Sequence, residues 1–424
     1  MSFTSFKLHA DLLRGLDALG FTAPTPIQID GIPPGCAGRD VLACAMTGSG
    51  KTAAFLLPIL QRLVGKPRGV TRALVLAPTR ELAVQIDEHR RDLGRFTRIG
   101  GAAVFGGVAM GPQETAFRRG ADILVATPGR LLDHFQYPYA RLDGLEVLVL
   151  DEADRMLDMG FLPDVRRILK ALPTTRRQNL LFSATLPPAI IALARELLHA
   201  PVTIDVERPS APAVGISHVV YPVAGQLKVR LLVDLLRQPG VRSALIFTRT
   251  KHRANRLAEG LARRGVAAER IHGNRSQAQR TQALAAFKAG TFRVLVATDI
   301  AARGIDVEGI SHVVNFDVPN LPDDYIHRVG RTARAGAVGD AITLVSPPEE
   351  ADLRSIERAV GARMARVKLP GFDYTAREAE RLEVPLAERI AAIRARKAEE
   401  RARGRANVAR RTPYGRAAAT RVTF

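Results

Sequence analysis

The sequence predicts an α/β protein made of two parallel-sheet domains in tandem. Short apolar runs alternate with segments of helical pattern, first between residues 41 and 182 and again between 243 and 345. Near-continuous apolar strands of this kind are typical of parallel sheets covered by helices on both faces. A glycine-rich turn and an acidic tetrapeptide each directly follow one of the runs. Because ligands collect at the carboxyl ends of such strands, both segments are expected at one edge of the first sheet.

Ten apolar runs are expected to form strands. They are 41–45, 73–77, 102–105, 122–126, 146–150 and 179–182 in the first series, and 243–247, 293–297, 312–316 and 341–345 in the second. The stretch 206–215 between the two series contains prolines, glycine and small residues, which favours an extended connector. We therefore expect a first domain at 1–205, a linker at 206–216, a second domain at 217–368 and a basic tail at 369–424, helical at first and then disordered.

The composition is that of a globular protein with a large excess of positive charge. The 424 residues carry a net charge of +20, and residues 401–424 include seven arginines and no acidic residue. This charge indicates a polyanionic partner, either nucleic acid or an anionic membrane, and charge alone does not choose between them. Without a membrane-length apolar run or a signal-peptide pattern, a cytoplasmic location is expected. Cys36 and Cys44 are too few for a disulfide framework or a zinc site.

The glycine-rich turn has the chemistry of a phosphate-binding loop. Its backbone N–H groups would cradle phosphates, Lys51 would neutralise them, and the Thr52 hydroxyl would be a ligand to Mg²⁺. The glycine-rich part consists of Thr47, Gly48, Ser49 and Gly50. Asp151 and Glu152 follow the run 146–150, so one carboxylate is expected near Mg²⁺ and the other near an attacking water. The two motifs together predict ATP and Mg²⁺ as ligands.

Eight segments, all in order between residues 3 and 346, resemble the DEAD-box ATP-dependent RNA helicases. They are Pro24–Gln28, Ala45–Thr52, Pro78–Ala83, Thr127–Arg130, Asp151–Asp154, Ser183–Thr185, Ala297–Asp306 and His327–Arg334. The short N-terminus and the basic C-terminal tail look most like the bacterial RhlE-type branch. The resemblance implies two tandem RecA-like domains that close on ATP and RNA, separate short duplexes locally, and reopen after hydrolysis.

The resemblance also implies how the nucleotide is read. A carboxamide matches the donor and acceptor edge of adenine, so Gln28 would prefer ATP. Phe3 would stack on the base. Asp306 would bind the ribose hydroxyls, with Gly304 allowing close approach.

Coupling and catalytic roles follow from the same resemblance. Asp154 would contact Ser183 and Thr185 to link the acidic motif to its neighbouring strand, and His327 would support the junction between domains. From the second domain, Arg331 and Arg334 would act as arginine fingers on the transferring phosphoryl group.

The RNA-contacting positions implied by the resemblance offer hydroxyls, bare backbone and arginines. These groups suit phosphates and sugars and are poor at reading base identity, so binding independent of sequence is expected. The positions are Thr79, Arg80, Gly106, Gly107, Thr127 and Arg130 in the first domain, with Gln277, Arg280 and Thr298 in the second.

Three other functions compete with an RNA helicase. They are a DNA translocase on the same two domains, a non-enzymatic RNA clamp, and a membrane-surface role for the tail. Asp151–Asp154, Gln28 and Ser183–Thr185 argue against the first, intact catalytic residues against the second, and the lack of large apolar residues among the tail arginines against the third. A monomer is expected, and ribosome-assembly or RNA-decay complexes are the candidate partners.

Overall fold

A computed structural model describes residues 1–46, 48–173, 177–205, 216–302, 309–332 and 339–376 of the chain. Several predicted features lie outside these residues. They are Thr47, Gly304, Asp306, Arg334, residues 206–215 of the predicted linker and residues 377–424 of the predicted tail.

The first half of the chain alternates helices and strands. The strands β1–β7 are Val41–Cys44, Ala73–Leu76, Gly101–Val104, Ile123–Ala126, Val147–Leu150, Gln178–Ser183 and Val202–Asp205. The helices α1–α9 are Ala10–Ala18, Pro26–Cys36, Lys51–Leu63, Arg80–Leu93, Gly111–Arg118, Pro128–Phe135, Ala153–Asp158, Leu162–Ala171 and Pro188–Leu197. Within the described residues the strands form one parallel sheet of order β3-β4-β2-β5-β6-β1-β7.

The second half repeats the architecture. The strands β8–β14 are Ile216–Pro222, Ala244–Thr248, Ala268–Ile271, Val294–Thr298, His312–Asn315, Gly339–Val345 and Ala365–Arg366. The helices α10–α15 are Lys228–Leu236, Lys251–Arg263, Gln277–Lys288, Asp299–Ala302, Pro322–Val329 and Glu350–Val360. The described strands again form a parallel sheet, of order β10-β11-β9-β12-β13-β8-β14.

Each sheet carries apolar cores on its two faces. In the first sheet, Val75 and Val149 face one core, whereas Leu74 and Leu148 face the other. This alternation follows from the two-residue period of a strand, and burial on both faces explains why the central strands are continuously apolar. None of the helices in the described part of the chain has the length and apolar character needed to cross a membrane.

An apolar core of the second domain extends beyond residue 368, where the domain was expected to end. Phe372 is buried in that core, and Tyr374 packs against it. The hydroxyl of Tyr374 accepts a hydrogen bond of 2.8 Å from the backbone N–H of Leu369. At the other end of the domain, β8 begins at Ile216, the last residue of the predicted linker.

Candidate nucleotide and RNA site

The phosphate loop connects β1 to α3, and Lys51 is the first residue of that helix. Lys51 is buried, and its Nζ donates a hydrogen bond of 2.8 Å to the backbone oxygen of Ala45. The hydroxyl of Ser49 is buried without a hydrogen-bond partner among the described residues. An ammonium and an unpaired hydroxyl at the N-terminus of a 13-residue helix fit the binding of phosphate.

Gln28 holds the phosphate loop from the side. It is almost fully buried; its Nε2 donates to the backbone oxygen of Gly50 at 3.1 Å, and its Oε1 accepts from the Thr25 N–H at 3.0 Å. Gly50 has a φ of 96°, and a Cβ atom at this position would lie 2.5 Å from Gln28 Nε2. Glycine is therefore required here for both the backbone conformation and the close approach.

Phe3 lies in the first apolar core. It is 5% exposed, and its ring makes edge-to-face contacts with Phe6 and Phe21, with centroids 5.9 Å apart in each pair. The structure thus places Phe3 as a packing residue beside the segment that leads into Gln28. Its contact with a base stays a prediction.

Asp151 follows β5 and is buried beside the phosphate loop. Burial raises the pKa of its carboxyl to about 7, the charge of Lys51 opposes this rise, and the neighbouring Glu152 adds to it. One oxygen of Asp151 accepts a hydrogen bond of 3.0 Å from the Glu152 N–H. A buried carboxylate in this setting gains a partner when a cation arrives.

The residues at this edge fit a magnesium ion held together with phosphates. In the described part of the chain, no group of three or more His, Cys, Asp and Glu side chains could hold a metal by itself. Mg²⁺ is commonly bound through one or two carboxylates plus substrate phosphates, rather than by an all-protein cage. Asp151 and the half-buried Thr52, in the first turn of α3, are the oxygen donors that fit this arrangement.

Glu152 adopts a backbone conformation that is unusual for a residue with a side chain. Its φ of 52° lies in the left-handed region, and it precedes the first residue of α7. Its Oε2 pairs with Nη1 of Arg155 at 3.1 Å, and both side chains are less than 5% exposed. The second guanidinium nitrogen of Arg155, Nη2, lies 3.3 Å from Nδ1 of His327, which belongs to α14 of the second domain.

Asp154 is tied to the end of β6. Its Oδ2 accepts hydrogen bonds from the Ala184 N–H at 3.1 Å and from Thr185, through the N–H at 2.7 Å and the hydroxyl at 3.0 Å. In return, the Ser183 hydroxyl accepts from the Asp154 N–H at 3.1 Å. The structure therefore brings Asp154, Ser183 and Thr185 together in one network.

The second domain contributes basic side chains to a small cavity next to Arg155. Arg331 is buried and lines this cavity together with His327, Arg328 and Asp299. Both oxygens of Asp299 pair with Arg328, at 2.6 and 2.7 Å, so Arg328 is held within its own domain. Arg331 thus lies where the second domain meets the acidic motif, while Arg334 is outside the described residues.

The first domain presents Arg80 to the solvent edge of its sheet. Its guanidinium packs over the backbone of Gly106 and Gly107, and a Cβ atom on Gly107 would lie 2.0 Å from Arg80 Nη1. Arg130 donates to the Val108 backbone oxygen at 3.1 Å, which places it next to the same turn. These two arginines and two glycines form a surface suited to a phosphate backbone.

The threonines predicted to contact RNA have local hydrogen bonds. Thr79 caps α4 by accepting from the Leu82 N–H at 3.2 Å, and the Thr127 hydroxyl lies 3.5 Å from the Val104 oxygen. Thr298 ends β11 and is half-buried. Their roles in binding RNA stay predictions.

Gln277 and Arg280 bind Glu81 of the first domain. Gln277 Nε2 donates to one carboxylate oxygen at 3.1 Å, and Arg280 Nη2 pairs with the other at 2.9 Å. The side chains of Arg280 and Glu81 are at most 10% exposed. The structure thus places both predicted RNA-binding residues in a contact between the domains, and their contact with RNA stays a prediction.

Four basic side chains lie around His272, which follows β10, and we call them the cationic surface. Three of the four also pair with a glutamate: Arg270 with Glu259, Arg275 with Glu269 and Arg280 with Glu81. Burial, together with the charges of Arg275, Arg270, Lys251 and Arg280, lowers the pKa of His272 to about 4. His272 Nδ1 accepts from the Asn274 N–H at 3.3 Å, so Nε2 donates to Asn255 at 2.9 Å. The imidazole is neutral in this arrangement, and the positive charge belongs to the side chains around it.

Sequence reasoning missed the roles of Glu81 and Arg155. Both lie at motif positions, Glu81 within Pro78–Ala83 and Arg155 directly after Asp154. Arg155 follows Glu152 by three residues, a spacing at which side chains on a helix meet, and this was the available signal. No comparable local signal exists for Glu81, because its partners are 196 residues away or more.

Comparisons with known proteins identify the family of the chain. The model for the DEAD/DEAH box helicase family matches residues 25–193, and the model for the helicase conserved C-terminal domain matches residues 227–336. The chain is 42% identical over 373 residues to the DEAD-box ATP-dependent RNA helicase CshA of Bacillus subtilis, covering 88% of this chain and 75% of the relative. CshA of Geobacillus kaustophilus is 40% identical over 383 residues, covering 90% of this chain and 82% of the relative.

Solved structures show the same fold. Dbp5 of S. cerevisiae, bound to RNA and ADP BeF3, superimposes with a TM-score of 0.78 at 32% identity, over 86% of this chain and 95% of that one. The predicted fold of two tandem RecA-like domains is therefore confirmed. The chain belongs to the DEAD-box ATP-dependent RNA helicases, as the sequence motifs predicted. The RhlE-type branch is not confirmed, because the relatives named here are CshA helicases, a different branch.

Proposed function

We propose that the protein is an RNA-stimulated ATPase and helicase that closes its two domains on ATP and RNA, separates short duplexes locally, and reopens after hydrolysis. One observation carries the proposal: the phosphate loop, the buried acidic pair and the basic edge of the second domain meet in one region, joined through Arg155 and His327. Relatives support it, since CshA is named as an ATP-dependent RNA helicase and Dbp5 was solved with RNA and ADP BeF3.

In the first domain, the loop N–H groups and Lys51 bind the phosphates of ATP. Asp151 and Thr52 would hold Mg²⁺, which supplies charge neutralisation for the β- and γ-phosphates when it is bound. Glu152 orients and polarises the attacking water as general base. Gln28 hydrogen-bonds Gly50 and would read adenine, and Phe3 supports the segment that contains Gln28. Asp306 would bind the ribose hydroxyls, with Gly304 allowing their close approach.

The second domain completes the site only when the two domains are closed. Arg331, buried next to His327, stabilises the charge of the transferring phosphoryl group together with Arg334. Asp154, through Ser183 and Thr185, transmits the position of the acidic motif to the end of β6. RNA lies across Arg80, Gly106, Gly107, Thr127 and Arg130 of the first domain and across the cationic surface of the second.

RNA-stimulated phosphate release from the purified full-length chain is the primary test. We expect Glu152→Gln to keep ATP and RNA binding and to lose about 10²–10⁴-fold in turnover, because the amide keeps the shape and loses the basic oxygen. Normal turnover in the variant would remove Glu152 from the mechanism. Single-stranded and duplex DNA of the same sequence serve as controls, and equal stimulation by DNA would favour a DNA translocase instead.

We further propose a first domain at 1–205 and a second domain that begins at Ile216 and continues past residue 368, a monomer in the cytoplasm, and RNA bound without sequence preference. Ribosome-assembly or RNA-decay complexes are the proposed setting. The RhlE-type branch stays a prediction. RNA crosslinked in cells and sequenced would identify the substrate, and a strict sequence motif among the bound RNAs would contradict backbone recognition.

A further inference from the structure

Arg155 is a buried cation whose two terminal nitrogens are used by different domains. Nη1 donates to Glu152 Oε2 at 3.1 Å, and Nη2 lies 3.3 Å from His327 Nδ1. Arg155 is 2% exposed, and it is among the largest fully buried side chains in the described residues. A guanidinium has donors only, so Nδ1 of His327 accepts this hydrogen bond and the ring's own proton is on Nε2.

The geometry of the guanidinium makes the two contacts dependent on each other. Its planar fork is rigid, so an Nη2 fixed by His327 leaves Nη1 only one orientation toward the carboxylate of Glu152. Glu152 itself has a left-handed backbone conformation at the start of α7, which its short helix cannot enforce alone. A carboxylate that must orient a water within hydrogen-bond distance needs such an external constraint.

On the strength of the proposed function, we propose that Arg155 is a positioning residue that makes the orientation of Glu152 depend on the approach of His327. With the second domain in place, the guanidinium is anchored at both ends and Glu152 is held for its water. With the second domain away, Nη2 loses its acceptor, and the pair with Glu152 is free to reorient. Through Arg155, the first domain thereby also restricts hydrolysis to the closed state. This restriction adds to the one imposed by the arginines of the second domain.

The test combines turnover with a direct measurement of closure. Dyes on the exposed native Cys36 in the first domain and on Arg354→Cys in the second report closure by energy transfer; Cys44 is buried and reacts poorly. Closure is measured with RNA and a non-hydrolysable ATP analogue, and RNA-stimulated phosphate release is measured in parallel. Arg155→Ala, Arg155→Lys and His327→Ala are compared with Arg166→Ala, a matched control whose side chain pairs with Glu196 at the exposed surface.

We expect Arg155→Ala to lower kcat about 10- to 100-fold with KM for ATP within about threefold, and to weaken closure. Arg155→Lys should lie in between, since one ammonium cannot serve both partners. Arg155→Ala combined with His327→Ala should lose little beyond the worse single variant, because the two residues act as one unit. Should Arg155→Ala not fold, Arg155→Lys and His327→Ala carry the same test.

Wild-type turnover and closure in Arg155→Ala would overturn the inference, as would fully additive losses in the double variant. Absence of RNA-stimulated turnover in the wild type would instead overturn the proposed function. In that case the closure measurement still decides whether Arg155 joins the domains.

Discussion

The two domains place a buried lysine at the same point of the fold and use it in opposite ways. In each sheet the sixth strand in order, β1 or β8, leads to a helix whose first residue is a lysine, Lys51 in α3 and Lys228 in α10. Lys51 donates to the backbone oxygen of Ala45 at 2.8 Å, and Lys228 donates to that of Phe316 at 2.7 Å. Only Lys228 also has a carboxylate partner within the described residues, Glu349 at 2.6 Å.

The presence or absence of a carboxylate partner distinguishes the two lysines. Burial lowers the pKa of Lys228, an effect that Glu349 only partly offsets. Burial alone would raise the pKa of Glu349, but the charge and hydrogen bond of Lys228, with Ser346, bring it below its ordinary value. The second domain thus neutralises its cation with a carboxylate, whereas Lys51 has no such partner in the described residues and stays the predicted phosphate-binding cation. The same point of the fold therefore holds a predicted phosphate-binding lysine in one domain and a structural ion pair in the other.

The largest expected effect concerns Arg331, which the second domain contributes to the proposed site in place of a phosphate loop. Arg331→Ala should depress RNA-stimulated hydrolysis by about 10³-fold or more, since an arginine finger stabilises charge only in the closed state. ATP affinity should change little. Phosphate release and equilibrium nucleotide binding are measured together, with the exposed Arg354→Ala as control. Normal hydrolysis in Arg331→Ala would show that the first domain acts alone.

Lys51→Met tests whether Lys51 binds a ligand rather than stabilising the fold. Hydrolysis should fall by about 10²–10³-fold, the usual loss for a donor aimed at transition-state charge. The free energy of unfolding should fall less than in Lys228→Met, because Lys51 has no carboxylate within ion-pair distance among the described residues and acts on buried Asp151 only through its charge. A large loss of stability, measured by urea denaturation, would mean that Lys51 is structural like its counterpart.

Lys228→Met should give the reverse result. It leaves Glu349 buried without its cation, which typically costs about 3–5 kcal/mol of stability. Turnover per folded molecule should stay normal. Adding Glu349→Gln should recover much of the loss, and a failure to recover would show that packing around Lys228, rather than charge, sets its contribution.

The smallest expected effect is a pH dependence of the cationic surface around His272. Its folded pKa of about 4 lies below the ordinary 6.5, so the unfolded chain binds more protons between these values. Stability should therefore fall as the pH drops from 6.5 to about 4, and His272→Gln should flatten that slope.

The same imidazole reports whether RNA occupies this surface. Phosphates bound to the surrounding cations should raise the pKa of His272, as followed by its NMR signal with exposed His252 as reference. An unchanged titration with RNA bound would place the RNA elsewhere.

Much of the fold could be predicted from the sequence, because its signal is local. Each of the ten predicted runs overlaps a strand, and all of these strands except the edge strand β3 lie in the interior of the two sheets. Four strands were missed, β7, β8, β10 and β14, and they lie at or next to the sheet edges. Strand β10 has the sequence Ala-Glu-Arg-Ile and β14 has two exposed residues, so neither has the apolar pattern of a buried strand.

The site was predictable where the interacting residues belong to motifs of the same domain. Asp154 with Ser183 and Thr185, and Lys51 with its loop, lie as the motifs suggested. Partners from the other domain could not be predicted, because a local sequence pattern does not show which arginine pairs with which carboxylate. Gln277 and Arg280 illustrate this: their residue types suit RNA, yet Glu81 is their partner in the structure.

The carboxylate of Glu81 has a consequence for how tightly the protein holds RNA at different salt concentrations. RNA phosphates release condensed counterions when basic side chains neutralise them, and an arginine that already has a protein anion beside it neutralises a phosphate less. Arg80 has no ion pair in the described part of the chain and contributes fully to this release, whereas Arg280 contributes little while it keeps Glu81. A chain with a net charge of +20 should therefore show a shallower salt dependence of RNA affinity than a count of its basic residues suggests. The folded domains would then stay bound to RNA at ionic strengths that dissociate RNA from a purely cationic surface.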